Sequence, residues 1–481
     1  MTALRRRAFG IGLAGFVASP LRALASAEPL QPVGALRADA DALYQGLQLA
    51  HFRLDERMPR PAMDRAFAAL RGALNRPLSA FEAAVHFQRF VALGRVAHAR
   101  IDALAPAFEA FRASSGLAFP LRLRLRERRL YVLQNLSENE DIQPGDEVLS
   151  IEGLAAGDVL SACARHVSAD TWPLAEALME PRMAALLWLE HGPRRGFRIT
   201  LRKANGATRK LRLEASTRLA MRQRAAQRPA TLELDPTERV ARQLPSGVAY
   251  LRPGVFLDLQ GPNPFDSRSF QVWLDTTMDG FIQSGARRLL LDLRDNPGGD
   301  NAFSDALVAW FAQRPFRFYS RFVIKASAAA VAANAARLAA EPEDGSSHRL
   351  ARLYDGVAPG GLVELSEPPV PPRAGARFTG AVDVLVNRRS FSNSVALAAL
   401  VQDHNFGRII GEATSDLAST LGAMEQFHLP HSGLAVGFPK ARIVRASGDA
   451  RPLGVHPDRV LAVPLIEGDD DPVLQAALAL D

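Results

Sequence analysis

The spacing of hydrophobic positions divides the chain into regions. Up to residue 118, apolar residues recur every three or four positions, as on one face of an amphipathic helix. The segments with this spacing are 35–54, 61–74 and 79–104. Pro77 and Pro106 lie next to segment ends, where helices commonly break. We therefore predict an N-terminal helical domain over residues 28–118.

From Phe119 the hydrophobic period becomes two, which is typical of strands with one buried face. Leucines alternate with arginines over 121–126, and a later pair of alternating segments flanks Asn205-Gly206, a strong hairpin signal. The arginines lack interleaved aromatic residues that would stack on bases, so a solvated strand face explains them better than a nucleic-acid surface. This pattern predicts a second domain over 119–215.

The rest of the chain combines strands with helices. Residues 216–246 are polar and contain prolines, which predicts a linker. Over 247–481, short apolar runs alternate with segments of helical spacing. The predicted strands are 247–256, 288–293, 381–386 and 408–411, and the predicted helices are 302–313, 326–340 and 392–403. Alternation of strands and helices favours an α/β core with parallel pairing.

Composition narrows the function. The chain of 481 residues has 58 basic and 51 acidic residues, and removing the four arginines of segment 1–27 lowers its net charge from +7 to +3. We therefore expect no nucleic-acid partner. The single cysteine, Cys163, excludes an internal disulfide. We find neither a Cys/His cluster with metal spacing nor a glycine-rich phosphate loop, so no cofactor is expected. Oligomeric state stays open.

The first 27 residues have the features of an export signal. Three arginines and Ala8-Phe9 precede a short apolar run, and an A-x-A pattern ends at Ala27. Arg6 and Arg7 fit the twin-arginine pattern, although Arg5 stands where Ser or Thr is usual. The segment predicts a cleaved signal peptide and a periplasmic protein without an integral membrane segment. The alternative is a basic helix start in a cytosolic protein.

Two segments carry candidate chemistry. Residues 292–299, Asp-Leu-Arg-Asp-Asn-Pro-Gly-Gly, follow an apolar strand, and their glycines allow a backbone amide to approach a ligand closely. Residues 384–395, Val-Leu-Val-Asn-Arg-Arg-Ser-Phe-Ser-Asn-Ser-Val, place serines between a strand and a helix. A serine there lies at the positive end of the helix dipole. The alternatives are a plain tight turn and ordinary helix capping.

These two segments are followed by 409–414 (Ile-Ile-Gly-Glu-Ala-Thr) and 454–458 (Gly-Val-His-Pro-Asp). Together and in this order, the four segments resemble the C-terminal processing (tail-specific) protease family of serine peptidases. The resemblance covers the C-terminal half and includes the tricorn-like and retinoid-binding-protein-like branch. It implies an α/β fold whose core, 247–481, is a crotonase/ClpP-like spiral.

Residues 143–153, Gln-Pro-Gly-Asp-Glu-Val-Leu-Ser-Ile-Glu-Gly, resemble the "GD.IL.ING" segment of PDZ domains. The resemblance implies that 119–215 is a PDZ-like domain, which would grip a polypeptide substrate by adding its strand to a sheet edge. The alternative is a PDZ-shaped spacer that binds nothing.

The family resemblance also implies site residues. Ser392 occupies the position of the nucleophile, and the Asn393 amide with that of Gly298 or Gly299 forms the oxyanion hole; we favour Gly299. Residues 93–101, Leu-Gly-Arg-Val-Ala-His-Ala-Arg-Ile, loosely resemble the branch motif that supplies a histidine base. His98 is therefore the predicted base, and His86 is its nearest rival.

The chain departs from the family pattern at two site positions. Leu417 stands in the place of the lysine of Ser-Lys enzymes, so a lysine base would have to be Lys440 from another strand. Arg451 stands in the place of the triad acid, and Asp449, two residues earlier, is the candidate substitute.

These residues predict an exported serine endopeptidase. The alternative is a catalytically impaired relative that binds peptide or a lipid-like ligand. Acyl-CoA chemistry on a crotonase-type fold is disfavoured by the PDZ-like segment and the export signal.

Overall fold

A computed structural model describes residues 29–228, 231–244 and 247–480 of the chain. The predicted signal peptide, 1–27, lies outside these residues. The fold is mixed α/β, as predicted, with three separate sheets.

The N-terminal region contains four helices, α1 Val33–Ala50, α2 Arg60–Ala73, α3 Ala80–Ala92 and α4 Leu104–Ala113. The prediction of one helix over 79–104 is wrong. Ser79 and Glu82 form a capping box that starts α3, but the chain turns after Ala92, where Arg95 has a φ of 54°. Residues 93–103 are consequently a non-helical connection, and His98 lies in it.

The second region is an antiparallel sheet covered by helices. Its strands are β1 Leu121–Arg126, β2 Arg129–Asn135, β3 Glu147–Ile151, β4 Leu154–Ala155, β5 Gly196–Arg202 and β6 Thr208–Glu214, and its helices are α5 Ala156–Ala164, α6 Trp172–Met179 and α7 Met183–His191. The strand order is β1-β2-β3-β5-β6, with β4 paired to β3. The predicted hairpin at Asn205-Gly206 is confirmed, because it joins β5 to β6. Cys163 is a free, buried thiol in this region.

The segment predicted as a linker contains regular structure. Helix α8, Arg218–Gln227, lies within it, and strand β7, Val240–Gln243, pairs with β8, Val248–Arg252. Its C-terminal part therefore belongs to the edge of the largest sheet.

That largest sheet is the core of the C-terminal region. It has the order β16-β13-β12-β9-β8-β7, and every pair except β7 with β8 is parallel. The remaining strands are β9 Arg288–Asp292, β12 Ala381–Val386, β13 Arg408–Gly411 and β16 Arg459–Val460, and the helices are α9 Arg268–Gln283, α10 Asn301–Ala309, α13 Asn393–Asp403 and α14 Pro472–Leu478. The four strands predicted here are confirmed, β12 and β13 with the predicted bounds and β8 and β9 with shorter ones.

A four-stranded antiparallel sheet joins this core to the N-terminal helices. Its strands are β10 Tyr319–Ala326, β11 Gly361–Glu364, β14 Thr420–His428 and β15 Ala435–Arg445, in the order β11-β10-β15-β14, and helices α11 Ala328–Ala340 and α12 Gly345–Tyr354 lie between β10 and β11 in the chain. Leu421 and Phe438 pack in one cluster with Leu43 and Phe87 of the N-terminal helices. This packing brings the turn after α3 to the C-terminal region.

The topology also places the two candidate segments side by side. Strands β9 and β12 are parallel neighbours, so their carboxyl ends lie at the same edge of the sheet. The Asn-Pro-Gly-Gly turn follows β9, and the serine segment follows β12.

Candidate active site

Ser392 lies on a sharp turn between β12 and α13. Its backbone has a φ of 53° and a ψ of −120°, a strained conformation for a residue with a side chain. The alternative of helix capping does not hold for Ser392, because its side chain makes no capping hydrogen bond. Ser390 Oγ instead donates to the Leu293 carbonyl at 2.8 Å, and Ser394 Oγ is buried without a partner. Ser392 is thus the serine of this segment that is left for chemistry.

His98 lies against Ser392. Its Nε2 is 3.3 Å from Ser392 Oγ, and its ring stacks on that of Phe391 with centroids 5.3 Å apart. Burial, with a smaller contribution from the charge of Arg100, lowers the pKa of His98 to about 4, while the Leu421 backbone acts in the opposite direction. The imidazole is therefore neutral at neutral pH and is able to accept a proton. His86, in α3, makes no contact with Ser392 among the described residues.

The turn that carries His98 is fixed by two other regions. The Ala97 N–H donates to Asp170 Oδ2 at 2.8 Å, from the segment before α6. Arg100 and Gly437 of β15 exchange two backbone hydrogen bonds of 3.1 and 2.8 Å. The His98 side chain is consequently positioned by long-range contacts on both sides of its turn.

The Pro-Gly-Gly turn approaches the serine segment very closely. A Cβ at Gly298 would lie 2.6 Å from Asn393 N, and one at Gly299 would lie 2.2 Å from the Phe256 carbonyl oxygen. Both glycines have positive φ values, 86° and 137°. A side chain at either position would therefore displace the backbone.

The two glycine amides differ in their partners. Gly298 N–H donates to Asn296 Oδ1 at 2.9 Å, which favours Gly299 over Gly298 as the oxyanion donor. Within the part of the chain that the structure describes, no hydrogen bond uses the N–H of Gly299 or of Asn393. These two amides are free to bind a ligand beside Ser392.

Sequence reasoning missed a buried carboxylate next to Ser392. Asp416 is fully buried, and its Oδ2 accepts a 2.6 Å hydrogen bond from the Ser392 N–H. Burial, followed by the nearby charge of Asp170, raises the pKa of Asp416 to about 7, although the backbone N–H groups of Ser392 and Leu417 lower it. The available signal was its position immediately before Leu417, where the family motif "GE.T.GK" has glycine.

Two other sequence candidates lie outside the site. Asp449, predicted as the triad acid, does not take that place in this structure, because its carboxylate pairs with Arg451 and no carboxylate hydrogen-bonds the Nδ1 of His98 among the described residues. The Lys440 ammonium is 2.6 Å from Glu425 Oε1 in a buried ion pair, and it is therefore not available as a base for Ser392.

Arginines next to Ser392 attach the serine segment to the second region. Arg388 pairs with Glu180 and donates to the Leu125 carbonyl. The Glu180 carboxylate also accepts the Leu125 N–H at 2.8 Å. The serine segment is therefore braced by the sheet of residues 121–214 as well as by its own strand.

Searches for other kinds of site found little in the described residues. No group of three or more His, Cys, Asp or Glu side chains among residues 29–228, 231–244 and 247–480 is placed to hold a metal ion. No helix in these ranges has the length and apolar character needed to cross a bilayer.

Comparison with known proteins gave one family match and several similar solved structures. Residues 263–461 match peptidase family S41. A search of curated proteins found no match. Among solved structures, mature CPAF has a TM-score of 0.60 and 18% identity, over 89% of this chain and 93% of that chain. A CPAF mutant has a TM-score of 0.62 and 14% identity, over 89% and 93%.

The photosystem II D1 C-terminal processing protease has a TM-score of 0.43 and 16% identity, over 90% of this chain and 95% of that chain. The CPAF structures show the shared fold. The match over 263–461 includes the strand–serine–helix segment and the Pro-Gly-Gly turn described above. The family match over 263–461 and the shared fold therefore support a serine peptidase of the C-terminal processing protease family.

Proposed function

We propose that this chain is an exported serine endopeptidase that cleaves polypeptides with Ser392 as nucleophile and His98 as base. The observation that carries this proposal is the 3.3 Å approach of Ser392 Oγ to His98 Nε2, which joins residues 294 positions apart. A nucleophile within hydrogen-bond reach of a base is the arrangement that activates a serine hydroxyl.

In the first step His98 removes the proton of Ser392 Oγ, and the oxygen attacks the scissile carbonyl. The lowered pKa of His98 keeps Nε2 unprotonated, as a general base must be. The same nitrogen then returns the proton to the leaving amine, and water releases the acyl group in the second half of the cycle.

The developing oxyanion is held by backbone amides. We assign the N–H groups of Gly299 and Asn393 to this role because Asn393 follows Ser392, Gly299 follows the glycine that packs against Asn393, and neither N–H has a partner in the described chain. Such preorganised donors stabilise the tetrahedral intermediate by about 3–4 kcal/mol each.

The enzyme is proposed to use a dyad rather than a triad. No carboxylate hydrogen-bonds the Nδ1 of His98 among the described residues, and Asp449 is occupied by Arg451. Loss of an orienting acid lowers the rate without abolishing it, since the oxyanion hole and substrate binding remain.

The region 119–215 is proposed to be a PDZ-like domain that grips the polypeptide. Its support is the 143–153 segment and an antiparallel sheet covered by α5 and α7, in which the outer strand β6 pairs with β5 alone among the described residues. An extended substrate would add to such an edge.

The crotonase/ClpP-like spiral likewise stays a prediction for the core.

Export is proposed from residues 1–27. We expect the mature chain to begin at Ser26 or Glu28 in the periplasm. Replacing both Arg6 and Arg7 by lysine should retain the precursor in the cytoplasm, which cell fractionation would measure. Normal export of the double variant would contradict the twin-arginine route.

The activity is tested with a fluorophosphonate probe and a denatured protein substrate. The wild type should be labelled and should cleave the substrate, and Ser392→Ala should do neither. Ser394→Ala is the matched control, because that nearby hydroxyl is buried and has no partner. Labelling of Ser392→Ala at the wild-type rate would overturn the proposed nucleophile.

The absence of a triad acid beside His98 among the described residues is the observation that favours a second candidate function. With Arg451 in the acid's place and Nδ1 unpartnered, a catalytically impaired relative that binds peptide or a lipid-like ligand is the alternative. A folded wild type that binds peptide but resists the probe would favour it.

A further inference from the structure

Two buried carboxylates lie behind the serine and the histidine. Asp416 is 0% exposed and Asp170 is 4% exposed. They are close enough for the charge of Asp170 to disfavour ionisation of Asp416. The roles assigned above to Ser392, His98 and the two amides make no use of either group.

Each carboxylate holds the backbone of one catalytic segment. Asp416 Oδ2 accepts the Ser392 N–H at 2.6 Å, and Asp170 Oδ2 accepts the N–H of Ala97, the residue before His98, at 2.8 Å. The segments that carry the two acids also touch, since Thr171 Oγ donates to the Ser415 carbonyl at 3.2 Å. One acid thus serves the nucleophile and the other serves the base.

The Ser392 N–H has a special need for such an acceptor. With a φ of 53° and a ψ of −120°, Ser392 has a backbone conformation that persists only when its surroundings enforce it. The hydrogen bond to Asp416 turns this N–H away from the cleft, and it leaves the amide of Asn393 as the next free donor. Removing the acceptor would release the conformation that aims Oγ at His98.

The second oxygen of each carboxylate, Oδ1, is also buried. Arg57 approaches Asp170 Oδ1 to 3.1 Å as an ion pair. The other charged groups that face this pair are Glu56 beside Asp170 and Arg100 beside His98. Asp416 has no cation against it among the described residues.

We propose that Asp416 is a positioning residue, which as a carboxylate fixes the strained backbone of Ser392, while Asp170 fixes the segment of His98. This inference rests on the proposed roles of Ser392 and His98. Asp416 would thereby have a function at a position where the family motif has glycine.

The charge state of Asp416 then affects the rate of acylation. An ionised carboxylate is a stronger acceptor for the Ser392 N–H, and its negative charge favours the imidazolium that forms at His98 during attack. Because the pKa of Asp416 is raised to about 7, acylation should accelerate as the pH rises through 7. His98 is already neutral there and contributes no such change.

The test measures the second-order rate of fluorophosphonate acylation from pH 5 to pH 9 in the full chain. Asp416→Asn keeps the size of the side chain and an acceptor but removes the charge. We expect it to react about tenfold more slowly than wild type at pH 8 and to lose the rise near pH 7. Asp416→Ala removes the acceptor as well and should react about 100-fold more slowly.

Asp383→Asn is the matched control. Asp383 is also fully buried and paired, with Arg288 and Arg408, but it lies at the other end of β12 from Ser392. It should lower the melting temperature while keeping the wild-type pH dependence of acylation.

The inference is overturned if Asp416→Asn is folded, reacts within twofold of wild type and retains the rise near pH 7. The proposed function would survive that result. It would fail separately, by the absence of labelling in wild type or by full labelling of Ser392→Ala.

Discussion

Ser392 is held largely by its own sheet, whereas His98 is held by residues from two distant regions. Around the serine, Ser390 Oγ bonds the Leu293 carbonyl and the Phe391 N–H donates to the Asn296 carbonyl at 3.0 Å, both from the turn after β9. The turn of His98 depends on Asp170 and Gly437. The Ser392 turn therefore takes these contacts from the sheet that carries it, whereas the His98 turn takes its contacts from tertiary docking.

This difference indicates that the position of His98 is more easily disrupted than that of Ser392. Neighbouring parallel strands define the serine segment once the core sheet exists. The histidine reaches its place only when the N-terminal helices pack on β14 and β15. Damage to the docking should remove the base while leaving the serine in its conformation.

The largest expected effect tests whether the two halves act as one unit. Ser392→Ala and His98→Ala should each lower peptidase activity by about 10⁴–10⁶-fold, and the double variant should be no worse than either. The measurement is kcat/KM on a peptide substrate, with Ser394→Ala as control. A His98→Ala enzyme that retains a tenth of the activity would mean that the base lies elsewhere.

The second-largest effect tests the close packing of the Pro-Gly-Gly turn against the serine segment. Gly298→Ala should lower activity by about 10²–10³-fold, because its Cβ would lie 2.6 Å from Asn393 N and would displace that amide. Gly285→Ala is the matched control. It has a similar positive φ, 70°, with no atom within 4 Å, so it should cost stability alone. Equal losses of activity in both variants would refute the oxyanion assignment.

A smaller effect is expected on the histidine half. Asp170→Ala removes the acceptor of the Ala97 N–H and should lower kcat by about 10–100-fold through misplacement of His98. Asp170→Asn retains an acceptor and should lose less. Circular dichroism and the melting temperature check the fold. An unchanged kcat in folded Asp170→Ala would show that Gly437 alone positions the turn.

The smallest effect concerns the acid that the sequence suggested. Asp449→Asn should leave activity within about twofold, since an exposed ion pair with Arg451 contributes little. Its carboxylate has a pKa lowered to about 2 by Arg451, which reflects that local pair. A loss as large as that of His98→Ala would place Asp449 in the triad of a conformation different from this one.

The sequence was informative where chemistry follows local geometry. The Pro-Gly-Gly turn, the strand before Ser392 and the helix after it could be predicted, because glycine conformations and apolar periods are properties of short segments. The preference for Gly299 over Gly298 required the Asn296 hydrogen bond, which no spacing reveals.

Long-range partners escaped prediction for the same physical reason. Asp416 and Asp170 become important only through burial and through contacts with backbone groups far away in the chain. Asp449 was proposed because Arg451 stands in the place of the family's acid. In the structure Arg451 is instead the ion-pair partner of Asp449, two residues away. The end of α3 was also missed, since apolar spacing continues past Ala92 into residues packed by tertiary contacts.

The distance in sequence between the two catalytic residues makes completeness of the chain a condition for activity. His98 is synthesised 294 residues before Ser392, and on the proposed roles neither has a partner in catalysis until the last strands of the core are in place. A nascent copy therefore carries a base with no nucleophile, and a copy with its N-terminal helices undocked carries a nucleophile with no base. On the proposed roles, peptidase activity would therefore appear only after the N-terminal helices and the core sheet have assembled.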